Sequence, residues 1–335
     1  MGLLHRFCSR ETALNIEWGI VRKLLLKKRL IRLKKKLREF KAEKVVFFLN
    51  SMEIIMLAKP ILNELKIPYT TMEWDLFEEG IHNNPVGRRF AEELRKDAEK
   101  LRRGADSRGV ASEGMQRFYQ KQFGLNAIIL RQAMTVEGIK KNRPAGKDFV
   151  IIICGNIYAI KEFHSFIKAL DILNWNCGGR KIIIQWVGAP SLRDGELPDA
   201  VQTYSWLSFA ESLEFVAQSD LGYCPYWFDP EKSALAETSF PSKLVSYLSC
   251  HVPIFYHGPN NGSPAVFLNK YQAGFICAEQ DPLRIADCIA SVLSNDKRML
   301  AARSAAIQAI QEEFTLSSFE KKTHQLLDSP YECNA

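Results

Sequence analysis

The sequence predicts an α/β protein built from two units, each a parallel sheet covered by helices on both faces. Three observations predict it. The strand-like run FVIIIC (149–154) is apolar throughout rather than alternating, and KIIIQWVG (181–188) is broken only by Gln185 after its opening lysine, as strands buried on both faces are. Amphipathic stretches separate such runs; Phe163, Phe166, Ile167 and Leu170 share one face of the first. A polar stretch near the middle, KKNRPAGK (140–147), contains Pro and Gly, has no apolar period, and reads as a linker.

The elements follow in order. Residues 1–41 read as a basic amphipathic helical segment, with Leu26, Leu30, Leu33, Leu37 and Phe40 on one face. A short N-terminal domain, 42–139, holds strands at 45–49, 69–72, 105–111 and 127–130. Its helices fall at 54–65, 85–103 and 113–123, the second with Phe90, Leu94 and Leu101 inward. Residues 140–148 form the linker. The C-terminal domain, 149–327, adds strands at 201–207, 220–226 and 274–277 and a helix through Leu213 and Val216. A helix and then a strand occupy 239–259, and helices from Pro282 and Lys297 close the chain.

The 335 residues are 47% hydrophobic and 25% charged, which suits a soluble chain of two domains. No apolar run approaches a membrane span, and the N-terminus carries no secretory pattern. Eight cysteines lack CxxC or zinc spacing. Cys154, Cys224 and Cys277 sit in or beside apolar runs, so reduced, buried thiols in a cytosolic protein and no metal are expected. The net charge is +7, but residues 22–41 hold eleven Lys/Arg and one Glu, a local +10 that leaves the rest near −3. The basicity belongs to one segment and does not indicate a nucleic-acid binder.

The stretch SFPSKLVSYLSCHVPIFYHGP (239–259) carries the chemistry. The strand before it ends near Tyr226, and a polar loop leads to a helix at Pro241. Proline suits the first helical turn, and Ser239 or Thr238 is placed to cap it. The free N–H groups and positive end of such a helix favour an anion. Lys243 adds a full charge one turn in, and Ser242 a hydroxyl. In doubly wound domains ligands bind beyond the carboxyl ends of the strands, so the group can seat a phosphate or diphosphate. A well-capped surface helix with a solvated lysine gives the same Pro-x-Lys, and the triplet alone does not separate the two.

The wider pattern resembles the GT-B glycosyltransferases, in particular the large retaining, nucleotide-sugar-dependent group (family 4-like). FPSKLVSYLSCHVPIFYHGP is similar to that group's Pro-x-Lys-Leu-x-x-Tyr-Leu-x-x-x-x-Pro-Ile helix and strand. CGNIYAIKEF (154–163) resembles its first C-terminal loop. YSWLSFAESLEFVAQSDLGYCPY, AGFIC and, in the first half, GADSRGVASEGMQRFYQKQFG also fit. The resemblance spans about 42–325 and implies two Rossmann-like domains, the N-terminal one reduced. It implies a hexosyltransferase-like, retaining enzyme that moves a sugar from a nucleotide-sugar donor to a glycan or lipid-linked acceptor, in cell-surface polysaccharide or glycoconjugate synthesis. The donor diphosphate is then expected at Gly155, Asn156, Lys161, Ser242 and Lys243, and its ribose and sugar at Ser246, Tyr226 and Ser239. No metal or other cofactor is expected. The sequence departs from the pattern where many members carry two glutamates: Thr238 and Ser246 stand there. Asn156 replaces a frequent arginine, and His251 a glycine. The first domain shows about four strand candidates where the family has more.

On the acceptor side, Glu73 and Asp75 follow a strand two residues apart, which puts both on one side of an extended segment, where a carboxylate can take a hydroxyl proton. A turn with solvated acids gives the same pattern. The basic segment admits three readings: a helix with its lysines in solvent, a peripheral contact of 22–41 with an anionic membrane, or, least, a nucleic-acid surface. The expected location is cytoplasmic, with the inner face of the membrane as the peripheral contact. The rivals are a non-catalytic or degenerate nucleotide-sugar-binding protein and a sugar-nucleotide epimerase. A dinucleotide oxidoreductase is disfavoured, because no G-x-G-x-x-G follows a strand.

Overall fold

The computed structural model describes residues 23–78, 81, 86–134, 148–189 and 197–328. The linker assigned to 140–148 falls outside them except for Asp148, as does 1–22 of the basic segment. The chain forms two compact units: the described residues through Leu130 together with those from Lys321 on, and Arg131–Glu320.

In the first unit, α1 (Lys23–Phe40) precedes four strands, β1 (Val45–Phe48), β2 (Tyr69–Glu73), β3 (Ser107–Val110) and β4 (Ile128–Ile129). They pair in parallel in chain order, with Val46 opposite Thr70 and Thr70 opposite Ser107. The connections are α2 (Met52–Leu65), α3 (Arg88–Gly104) and α4 (Glu113–Phe123). Serines start two of them: the Ser51 Oγ accepts from Ile54 N, and the Ser112 Oγ from Met115 N. Gly124, at φ 67°, ends α4. Phe90, Leu94 and Leu101 of α3 are buried as their spacing requires. Leu26, Leu30, Leu33 and Leu37 of α1 lie on the side of the helix turned toward the protein, the first buried and the others half-buried against the core shared with α2 and α3. Phe40 does not join them; it ends the helix 83% exposed. The last helix, α12 (Leu316–Asp328), returns to this sheet, where the Leu326 carbonyl accepts from the Ser107 hydroxyl.

The second unit holds β5 (Asp148–Cys154), β6 (Asn176–Cys177), β7 (Arg180–Val187), β8 (Val201–Tyr204), β9 (Leu221–Pro225), β10 (Ile254–His257) and β11 (Gly274–Cys277). The order is β11-β10-β9-β5-β7, and the far edge of β7 pairs with β6 at its start and β8 further along. All pairs but β6–β7 are parallel. The chain runs outward from β5 to β7 and β8, then returns to build β9, β10 and β11 on the other side. The strand order therefore reverses between β5 and β9, and the carboxyl ends of those strands form a topological switch point. Alternation along β5 splits the core between the faces. Ile152 joins the cluster under α6 (Phe209–Ala217) and α8 (Ser242–Ser249), while Ile151 and Ile153 join that under α5 (Ile160–Ile172) and α10 (Pro282–Leu293). Short α7 (Ser233–Thr238), α9 (Ser263–Tyr271) and the long α11 (Asp296–Glu313) complete the unit. The chain is thus α/β with parallel sheets flanked by helices.

Candidate functional site

Two glycines shape the carboxyl ends of β5 and β7. Gly155 has φ 68° and donates its N–H to the Val187 carbonyl at 2.8 Å. Gly188 has φ 74°, and a Cβ there would lie 3.4 Å from Gly155 Cα and 3.5 Å from the Trp206 ring. Both need the left-handed region that glycine alone adopts freely.

Helix α8 approaches these glycines from β9. Pro241 is its N-cap residue rather than part of its first turn, and no side chain caps it. Neither expected cap forms: the Thr238 hydroxyl donates to the Ala234 carbonyl, and the Ser239 Oγ pairs with the Tyr226 hydroxyl at 3.1 Å. The start of α8 thus has no side-chain cap, and Leu244 N, in its first turn, donates to the Pro241 carbonyl at 3.1 Å. Tyr247 fixes the helix on the sheet. Its hydroxyl accepts from Cys154 N at 3.0 Å and donates to the Tyr223 carbonyl at 3.3 Å. Its ring packs against Gly222, where a Cβ would fall 2.4 Å from it.

Lys243 projects from the first turn of α8, and its Nζ donates to the Asn156 carbonyl at 2.7 Å. Burial lowers its pKa below the ordinary 10.5. The titratable groups that act on it are the Cys224 and Cys154 thiols, each pushed up to about 12 chiefly by burial and therefore neutral near pH 7. Among the described residues no carboxylate pairs with Lys243. It lines a cavity of about 560 Å³ with Gly155, Asn156, Gly188, Ser242 and Ser246. Three aromatic side chains also border it, Tyr158 and Trp206, each 70% exposed, and Phe209, 60% exposed.

The structure therefore gathers five of the expected donor-site residues, Gly155, Asn156, Ser242, Lys243 and Ser246, around one cavity. Lys161 does not line this cavity. It lines a second cavity, of about 310 Å³, with Glu162, Phe228, Asp229 and His257. The Trp227 indole donates to the Tyr158 carbonyl at 3.2 Å and ties together the loops beside the two cavities. Tyr226 and Ser239 are buried against each other and line neither cavity. Sequence reasoning passed over Gly188, Trp206 and Tyr247, although Gly188 closes the run KIIIQWVG and Tyr247 stands inside the most specific motif.

In the first unit Glu73 and Asp75 do not share a side. Glu73 is fully buried; its Oε1 accepts from Phe77 N and Arg102 Nη2, both at 2.7 Å, and its Oε2 from Arg102 Nε at 3.1 Å and from the Tyr119 hydroxyl. Glu78 holds the other side of the guanidinium at 2.8 Å. Burial alone would lower the Arg102 pKa, but Glu73 and Glu78 reverse that and raise it. With both oxygens engaged and no solvent access, Glu73 is an internal anchor for β2, α3 and α4. The strand has ended by Asp75, whose side chain turns outward, while desolvation by the surrounding protein raises its carboxyl above 3.8.

Neither a family model nor a curated protein matches the sequence. Solved structures do match in shape. HepE from Anabaena in complex with UDP has a TM-score of 0.67 at 13% identity, over 90% of this chain and 82% of that one. Sucrose-phosphate synthase from Thermosynechococcus elongatus gives 0.65 at 12%, over 90% and 77%. The α,α-trehalose 6-phosphate synthase from Burkholderia multivorans gives 0.63 at 12%, over 89% and 73%. At these identities the likeness establishes the fold, which is GT-B, with two Rossmann-like units.

Proposed function

We propose that this chain is a glycosyltransferase that moves a hexose from a nucleoside-diphosphate sugar to a glycan or lipid-linked acceptor, with retention at the anomeric carbon. One observation carries the reading: Lys243, a partly buried cation with no carboxylate partner among the described residues, lines a cavity at the carboxyl ends of β5 and β7, beside the switch point. A leaving nucleoside diphosphate gains negative charge as the glycosidic bond breaks. A preorganised ammonium and an uncapped helix end stabilise that charge. The exposed aromatic rings at the rim offer a stacking surface for the base, and Ser246 offers a hydroxyl to the ribose. With Glu73 enclosed, Asp75 is the remaining acceptor-side carboxylate to take the hydroxyl proton. The diphosphate charge is assigned to Lys243 and the end of α8, without a metal. HepE solved with UDP-glucose makes that sugar nucleotide the first donor to try. The proposed setting is the cytoplasm, in polysaccharide or glycoconjugate synthesis.

The test is donor turnover. The purified chain is incubated with UDP-, GDP-, ADP- and dTDP-hexoses and a panel of glycan and polyprenyl-phosphate-sugar acceptors. Nucleoside diphosphate release is followed, and the new linkage is read by NMR. Acceptor-dependent release from one donor class, giving an axial linkage from an axial donor, supports the proposal. Sugar-nucleotide isomerisation without an acceptor, or tight donor binding without release, contradicts it.

A further inference from the structure

No helix among the described residues is long and apolar enough to cross a membrane. The apolar stripe of α1 is also unavailable to a lipid surface, since Leu26, Leu30, Leu33 and Leu37 are turned to the protein core. The opposite face of the same helix is different. At 100° per residue, Leu24 and Ile31 stand a heptad apart on that face, 65% and 62% exposed. One exposed leucine needs no explanation. Here two large aliphatic side chains lie among lysines and arginines on a helix that has already buried another stripe.

The charges around them are largely uncompensated. Lys34 and Arg38 both turn to Glu64, and Lys35 makes only an exposed pair with Glu39 at 3.6 Å. Lys27, Lys28, Arg29, Arg32 and Lys36 make no ion pair among the described residues. A protein partner recognising this face would need a matching acidic groove. An anionic bilayer supplies both requirements in any orientation about its normal: diffuse negative charge for the cations and an acyl boundary for the two apolar side chains.

We propose that α1 is a docking face for an anionic lipid bilayer, held by Lys27, Lys28, Arg32 and Lys36 and anchored by Leu24 and Ile31. The helix lies flat, its inner stripe on the protein and its outer face on the headgroups. Attachment is reversible and mainly electrostatic, so it weakens steeply with salt. Because each cation near an anionic surface contributes about fivefold in affinity, removal of four lowers it by at least about a hundredfold. The proposal does not depend on the catalytic reading and survives or fails separately from it.

The experiment is co-sedimentation of the full chain with vesicles of phosphatidylcholine alone or with about one third phosphatidylglycerol. Binding to the mixed vesicles alone is expected, with release by high salt. The variant with Lys27, Lys28, Arg32 and Lys36 changed to alanine should lose binding. Leu24→Ser with Ile31→Ser should weaken it about tenfold and leave the salt sensitivity of the remainder. All six side chains are on the surface, so circular dichroism and melting should match wild type. Absence of binding to the mixed vesicles overturns the proposal. So does equal binding by the four-alanine variant, or tighter binding to an RNA duplex of equal charge than to the vesicles.

Discussion

The Lys243 ammonium donates to the carbonyl oxygen of Asn156, 87 residues earlier in the chain, at 2.7 Å. This single contact joins the first turn of α8 to the loop after β5, and the lysine is held in place by a neutral acceptor. Its charge is aimed but not cancelled. An arriving diphosphate finds a positioned cation instead of having to break an ion pair to reach one.

A pH dependence follows. The anion is bound by the ammonium, and burial has lowered the pKa from 10.5. Affinity for a nucleoside diphosphate should therefore fall as pH rises, with a midpoint below 10.5. Lys243→Arg keeps its charge at all accessible pH and should flatten that fall. Calorimetric titrations of the two proteins between pH 7 and 10 make the comparison; parallel profiles would contradict it.

Tyr247→Phe should destabilise the second unit. The hydroxyl bridges two buried backbone groups, Cys154 N and the Tyr223 carbonyl, and its loss leaves both without that partner. The expected cost is about 1–3 kcal/mol in urea unfolding. Nucleotide affinity should fall as well, because the same bond seats α8 beside Gly155.

His251→Gly should stabilise. The turn after α8 holds His251 at φ 58°, where a side chain costs about 1 kcal/mol and glycine costs little. Burial also lowers the imidazole pKa from 6.5, so the unfolded chain binds the proton more tightly. Stability of the wild type from this group is present above pH 6.5 and is lost as pH falls below it. The advantage of the glycine variant in thermal melts should therefore be larger at pH 5 than at pH 8.

Glu73 and Asp75 should separate cleanly. Glu73→Ala leaves Arg102 short of its most buried partner and should cost about 3–5 kcal/mol. Asp75→Asn should leave unfolding within about 0.5 kcal/mol of wild type. If Asp75 takes the acceptor proton, that variant loses transfer by about 10²–10⁴-fold. The wild-type rate should then rise with pH along an acid limb centred above 3.8, since the carboxyl is raised by desolvation and must ionise to act.

Much of the second unit was legible because its central strands β5, β9 and β10 are buried on both faces. FVIIIC carries no alternation to misread and KIIIQWVG only the single polar Gln185, and they emerge as Asp148–Cys154 and Arg180–Val187. The motif at 239–259 puts Lys243 in the first turn of a helix, as found, because Phe-Pro-Ser-Lys marks a helix start whichever residue caps it. The cap itself was misjudged: Ser239 has a closer partner in Tyr226, brought in by tertiary structure. Lys161 and Lys243 both read as diphosphate contacts, yet a loop tie between Trp227 and Tyr158, invisible in either local motif, accompanies their separation into two cavities. The pairing of Glu73 with Asp75 assumed an extended segment, but the strand stops at Glu73 and Arg102 takes that side chain inward. Spacing along α1 identified an apolar stripe without saying what covers it, and the answer was the protein's own core.

The measurement that bears most directly on the central claim is calorimetric binding of UDP, GDP, ADP and dTDP to the wild type and to Lys243→Ala. The account predicts that one nucleoside diphosphate binds and that the alanine variant weakens it by at least about tenfold, roughly 1.4 kcal/mol, with an unchanged melting temperature. Binding that is indifferent to Lys243, or no binding of any of the four to the folded protein, would contradict it.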